Sequence, residues 1–163
     1  MKTYSSTSLE ETQKIAREWL ADISSRYADR DEALVVGLSG HLGAGKTAFS
    51  KAVAQELGIT ETVTSPTFVI MKAYEVQKNR EPRDKNPKGT SVTSFPWKRF
   101  VHIDAYRLER REELEALQWE RLVTDKNNLI LIEWPENVGL KEFVPLGHLD
   151  FEIKEGKHEV MIR

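Results

Sequence analysis

The eight residues Gly40-His-Leu-Gly-Ala-Gly45-Lys46-Thr47 satisfy the pattern G-x-x-x-x-G-K-[ST] at every fixed position. Glycines at these places let the backbone curl until successive N–H groups face one point, where an anion is the natural occupant. A helix beginning near Lys46 adds the positive end of its dipole. Lys46 is then placed to bridge the β- and γ-phosphates of a nucleotide, and the Thr47 hydroxyl to take one position on Mg²⁺. Without a strand before it and a helix after it, the same stretch would be only a glycine-rich turn, so the flanks decide the reading.

The flanks agree. "ALVVGLS" (33–39) is too continuously apolar for a half-exposed strand and predicts one buried on both faces. From Lys46 to Leu57, Phe49, Val53, Ala54 and Leu57 recur at helical spacing, and Gly58 stands where a left-handed residue closes a helix. Magnesium needs more oxygen than one hydroxyl supplies. Two acids end apolar runs, Asp104 in "FVHIDAYR" and Glu133 in "LILIEWPE", where a parallel α/β sheet gathers its ligands. The residues alone leave open which of them meets the metal. The guanine-reading sequence N-K-x-D is absent, "TDKNN" (124–128) having the letters in the wrong order, so ATP is the expected nucleotide. A small-molecule kinase stays an alternative, although the only insertion, 77–98, is broken by prolines and lacks a lid-like helical core. So does a binding module gated by nucleotide, with incidental hydrolysis.

Elements to carry these residues are legible along the chain. Ser8 followed by Glu11 is a capping box, and Leu9, Ile15, Ala16, Trp19, Leu20, Ile23 and Tyr27 predict an amphipathic helix ending near Arg30. Strands are expected at 68–76, 99–106 and 128–134, a helix at 110–123, and a closing hairpin of "HLDFEI" and "HEVMIR" around Glu155 and Gly156. The expected fold is α/β, a single P-loop NTPase-like sandwich over 1–163 with a mixed central sheet flanked by helices. Between two of the strands, 77–99 reads as a hairpin insertion with seven Lys or Arg against Glu81 and Asp84, a net of +5. Its readings are a solvated loop or, with Phe95 and Trp97 nearby, a surface for tRNA.

Bulk composition bounds the rest. At 163 residues, 39% hydrophobic and 31% charged, the chain suits one compact domain. A net charge of -2 gives no global attraction to nucleic acid or anionic lipid. The absence of cysteine excludes disulfides, thiolate metal sites and thiol nucleophiles. No run approaches the roughly 18 to 20 apolar residues of a membrane span, and the first residues lack an apolar signal region, so a cytoplasmic protein is expected.

Four motifs in order, "LGAGKT", "SPTF" (65–68), "HIDAYRL" (102–108) and "IEWPE" (132–136), resemble the TsaE (YjeE) family, P-loop ATPases of bacterial tRNA threonylcarbamoyladenosine biosynthesis. The resemblance covers nearly the whole chain. It implies an ATPase that works with the TsaB and TsaD proteins, its hydrolysis resetting their complex between rounds of tRNA modification. It further implies that Gly43, Ala44, Gly45, Lys46 and Thr47 cradle the phosphates. Gly40, His41, Leu42, Ala48, Thr12, Ser65, Thr67 and Trp134 complete the nucleotide-contacting set that it implies. Thr47 and Glu133 are the implied metal ligands, with Asp104 orienting water or completing the metal shell, and Lys46, Asp104 and Glu133 the catalytic set. In "SPT", Ser65 and Thr67 read either as a switch sensing the γ-phosphate or as a plain turn. His102 reads as a structural hydrogen-bonding histidine in preference to a base, Trp134 as either core or, in preference, a lid over the site, and Tyr106 and Arg107 as either partner or nucleotide contacts or ordinary strand-end residues. Three departures from the family pattern stand out: the insertion at 77–99 is the largest, His41 replaces a usual acid, and Leu117-Gln118 replaces Leu-Gly after the acidic helix.

Overall fold

The computed structural model describes residues 2–27, 29–64, 66, 68–77, 95–140 and 147–162. Its strands are β1 (Lys2–Ser6), β2 (Leu34–Gly40), β3 (Met71–Glu75), β4 (Arg99–Asp104), β5 (Asn128–Glu133), β6 (His148–Lys154) and β7 (Lys157–Ile162). They form one seven-stranded sheet in the order β1-β7-β6-β2-β5-β4-β3. The middle of the sheet is parallel, β6 beside β2, β2 beside β5 and β5 beside β4. Antiparallel pairs add β3 at one edge and β7 with β1 at the other, which makes the sheet mixed as expected. Every residue of β5 is buried, as is every residue of β2 before Gly40, in keeping with their unbroken apolar runs.

Among the described residues four α-helices cover the two faces: α1 (Leu9–Arg26), α2 (Lys46–Glu56), α3 (Glu112–Glu115) and α4 (Trp119–Thr124). The helices α1 and α2 bury Trp19, Leu20, Phe49 and Val53 against Val36, Leu38, Phe100 and Leu131 of the sheet. On the opposite face Leu114, Trp119 and Val138 pack against Val35, Ile103, Ile130 and Ile132. The capping box is present, Ser8 Oγ accepting from the Glu11 N–H at 3.2 Å while Glu11 Oε2 accepts from the Thr7 N–H at 2.6 Å. Among the described residues no helix is long and apolar enough to cross a membrane.

Several boundaries differ from the sequence reading, each for a physical reason. The strand expected from Phe68 begins at Met71, because Phe68 and Val69 are 84% and 56% exposed and belong to a turn that ends at Ile70, φ 67°. The long first helix stops at Arg26 instead of near Arg30. β1 was not expected at all. It is short, polar and at the sheet edge, and its partner β7 lies at the other end of the chain. The single helix expected over 110–123 is two, α3 and α4, separated by Gln118 at φ 57°, ψ 43°. A left-handed residue is therefore still needed where the family places glycine, and here a side chain is forced into it. Replacing Gln118 by glycine is expected to raise stability by about 0.5–1 kcal/mol, read as a higher denaturation midpoint at unchanged slope. Trp97, read as available beside the basic insertion, is only 3% exposed, and Phe95 stacks on it at 6.3 Å, so this pair serves the core. Most of that insertion, 78–94, lies outside the described residues, as do Ser65 and Thr67.

Candidate functional site

The glycine loop leaves the carboxyl end of β2 in the middle of the sheet and runs into α2. Gly40 makes the bend possible: its φ is 137°, and a Cβ there would sit 2.2 Å from the Phe151 carbonyl oxygen of β6. Gly45, at φ 110°, occupies the N-cap position of α2 without a side-chain cap, leaving the first-turn N–H groups to serve an external acceptor. From the far side His158 of β7 donates its Nδ1 hydrogen to the Ala44 carbonyl at 3.1 Å, tying the loop to the sheet.

Lys46 is 4% exposed. Its Nζ donates to the Gly40 and His41 carbonyls at 2.6 and 3.0 Å and lies 3.9 Å from the centre of the Trp134 ring. Burial pushes its pKa below the usual lysine value, an effect opposed by the nearby carboxylates of Glu133, Glu136 and Asp104. Three acids thus surround one ammonium, so an anionic ligand entering this space needs a second cation to come with it.

The two candidate acids end up side by side. Asp104 and Glu133 are paired in register at the ends of β4 and β5, and are 5% and 2% exposed. Glu133 Oε2 accepts from the Thr47 hydroxyl at 3.0 Å, and its Oε1 lies 2.8 Å from His102 Nε2. Asp104 accepts the Tyr106 N–H at 3.0 Å, which orients its carboxylate at the strand end. Trp134 takes a left-handed conformation, φ 58°, as the chain turns into the segment beginning at Pro135, and its ring lies over Lys46 with Tyr106 5.3 Å away. Such backbone strain at a bulky residue is the kind of conformation that accompanies functional sites. A cleft of about 340 Å³ is lined by Leu42, Gly43, Gly45, Lys46, Thr47, Ala48, Asp104, Tyr106, Glu133 and Trp134.

On the other side of the loop a second cavity of about 300 Å³ shares Gly45 and Ala48 with the first. Thr12 lines it together with Ser6, Ser8, Phe151 and His158. The Thr12 hydroxyl is 2.8 Å from that of Ser6 and donates to the Ser8 carbonyl at 3.1 Å. Among the described residues no three His, Asp or Glu side chains are grouped to hold a metal by themselves. Thr47, Glu133 and Asp104 fit a hard divalent cation that draws its remaining oxygens from a ligand and water, which is how magnesium is held at phosphate sites.

The model of the family described as threonylcarbamoyl adenosine biosynthesis protein TsaE matches residues 6–162. The chain belongs to the TsaE family. A relative from Bacillus subtilis is 32% identical over 145 residues, 89% of this chain and 72% of the relative. One from Mycobacterium tuberculosis is 33% identical over 130 residues, 76% of this chain and 66% of the relative. Each is named tRNA threonylcarbamoyladenosine biosynthesis protein TsaE. A crystal structure of YdiB from Bacillus subtilis has the same fold, with a TM-score of 0.61, 24% identity, and coverage of 99% of this chain and 83% of that one.

Within this TsaE chain the structure draws Gly43, Gly45, Lys46, Thr47, Ala48, Asp104, Glu133, Trp134 and Leu42 around one cleft. Gly40 and His41 contribute carbonyls beneath it, Ala44 is buried behind the loop, and Thr12 lies in the adjoining cavity. Arg107 lies over the exposed Phe68 ring at 4.9 Å and does not line the cleft. Sequence reasoning missed His158, whose approach to Ala44 depends on a register between distant strands. It also missed Glu136, which accepts from the Ser39 hydroxyl at 2.7 Å and adds its charge near Lys46. The acid in "WPE" was a local signal for Glu136; His158 had none.

Proposed function

We propose that this TsaE-family protein is a Mg²⁺-dependent ATPase that supports the TsaB and TsaD proteins in threonylcarbamoylation of adenosine in tRNA, in the cytoplasm. The observation that carries the reading is the Thr47 hydroxyl bonded to Glu133 beside Lys46, at the end of a glycine loop that lines the cleft and starts a helix with no side-chain cap. ATP is the substrate, cleaved by water to ADP and phosphate. The two cavities meeting at Gly45 and Ala48 suit a ligand with a base at one end and a phosphate tail at the other.

In this reading the amides of 43–47 hold the β-phosphate, and Lys46 moves between its own loop carbonyls and the phosphate oxygens. Thr47 and Glu133 hold the metal, and Asp104, fixed by the Tyr106 amide, orients the attacking water or completes the metal shell. Magnesium, when bound, neutralises charge on the phosphates and polarises them. Trp134 and Tyr106 screen the phosphates from bulk water.

Phosphate release measured with and without purified TsaB and TsaD tests the proposal. Turnover is expected to rise with the partners and to fall about 100-fold or more in Glu133→Ala. Turnover in that variant equal to wild type would remove the reading.

A further inference from the structure

His102 is fully buried, two residues before Asp104 on the same face of β4, and is neither in the cleft nor exposed to a substrate. Its Nε2 lies 2.8 Å from Glu133 Oε1, while Glu133 Oε2 receives the Thr47 hydroxyl at 3.0 Å. The three side chains form one line: imidazole, carboxylate, hydroxyl. Its other ring nitrogen, Nδ1, is buried with no partner among the described residues. A hydrogen on Nδ1 would be a buried donor without an acceptor, and Nε2 without hydrogen would set a lone pair against a carboxylate oxygen. The environment therefore selects one tautomer, hydrogen on Nε2 and a bare Nδ1, and directs that hydrogen at Glu133.

A glutamate has three side-chain torsions, and one holding a metal from a strand end must be kept from rotating away. Here one oxygen is anchored behind the site, and the anchor leaves the other facing Thr47. We infer that His102 is the positioning residue for Glu133, fixing which carboxylate oxygen is presented to the Mg²⁺ that accompanies the nucleotide. This rests on the proposed function, since it assumes that Glu133 and Thr47 meet that metal. Outer partners of this kind set metal affinity without touching the metal. The imidazole is not a base for water: its bare nitrogen, Nδ1, is buried, and the ring has no exposed surface and does not line the cleft.

Two variants separate positioning from packing. His102→Phe keeps a ring and removes the donor. His102→Gln places an amide nitrogen at the same number of bonds from Cα as Nε2 and restores it. Binding of a fluorescent ATP analogue is followed while Mg²⁺ is titrated, and again in EDTA. The Mg²⁺ concentration for half-saturation is expected to rise about tenfold or more in His102→Phe and to stay within about threefold of wild type in His102→Gln, with affinity in EDTA unchanged in both. Equal Mg²⁺ dependence in wild type and His102→Phe, or equal loss in both variants, overturns the inference. A wild-type protein that binds the analogue no better with Mg²⁺ than in EDTA overturns the proposed function with it. Should His102→Phe not fold, the wild-type imidazole nitrogen spectrum still decides. A protonated Nε2 with bare Nδ1 is expected, and the opposite tautomer overturns the inference.

Discussion

Lys46→Ala is expected to lower ATP hydrolysis by about 100- to 1,000-fold and to weaken Mg·ATP binding, while the protein keeps a cooperative melting transition. Among the described residues the ammonium makes no ion pair that holds the fold; its hydrogen bonds go to Gly40 and His41 of its own loop. What it supplies is charge. With it gone, Glu133, Glu136 and Asp104 face the phosphates without the ammonium's charge among them. Main-chain amides and the α2 dipole remain, so residual binding is expected to depend more steeply on Mg²⁺ than in the wild type. Because burial holds this lysine below its usual pKa, the charged form it needs is lost as pH rises through that lowered value. Affinity of the free protein for nucleotide should therefore decline at a less alkaline pH than an exposed lysine would give. Calorimetric titration and phosphate release on the same preparation check both effects, and a wild-type rate in Lys46→Ala would falsify the role assigned to it.

Phe49→Ala is the substitution expected to cost most stability, about 3–5 kcal/mol. Phe49 is fully buried in α2 and meets Trp19 of α1 edge-on at 5.4 Å and Phe151 of β6 at 5.6 Å. It links both helices of that face to the sheet, so truncation leaves a cavity that neither rigid neighbour can collapse into. Against a total stability of about 5–15 kcal/mol, that loss is a large fraction. The effect should also reach the loop, since the Phe151 carbonyl is the atom that Gly40 passes closely and the Phe151 ring lines the cavity beside Thr12. Denaturant unfolding should show a lower midpoint at unchanged slope, and a cost under about 1 kcal/mol would rule out this packing as the organiser of the face.

The glycine loop and the strands beside it were legible because their signals are local. The loop from Gly40 to Thr47 needs one tight bend and one helix start, and its residues encode both. β2 and β5 announced themselves by runs that only a two-sided burial explains, and the β6–β7 turn by Glu155 and Gly156, which both take positive φ. Features decided by distant partners were not legible. β1 reads as polar chain until β7 is laid beside it. The break at Gln118 hides because Leu114 and Leu117 before it, and Trp119, Leu122 and Val123 after it, each keep helical spacing. His102 was legible as a buried hydrogen-bonding group, but that it holds Glu133 depends on β4 and β5 pairing in parallel, one strand's His two residues below the other's terminal acid.

The edge formed by β1 and β7 bears on when the molecule first becomes competent. β1 hydrogen-bonds to β7, and the cavity beside Thr12 takes Ser6 from the former and His158 from the latter, more than 150 residues apart along the chain. A nascent polypeptide has its glycine loop early, but it lacks one wall of that cavity until the β6–β7 hairpin is made. Under the proposed function a nucleotide thus has little to grip before that hairpin is in place, and its stabilising influence arrives only with it.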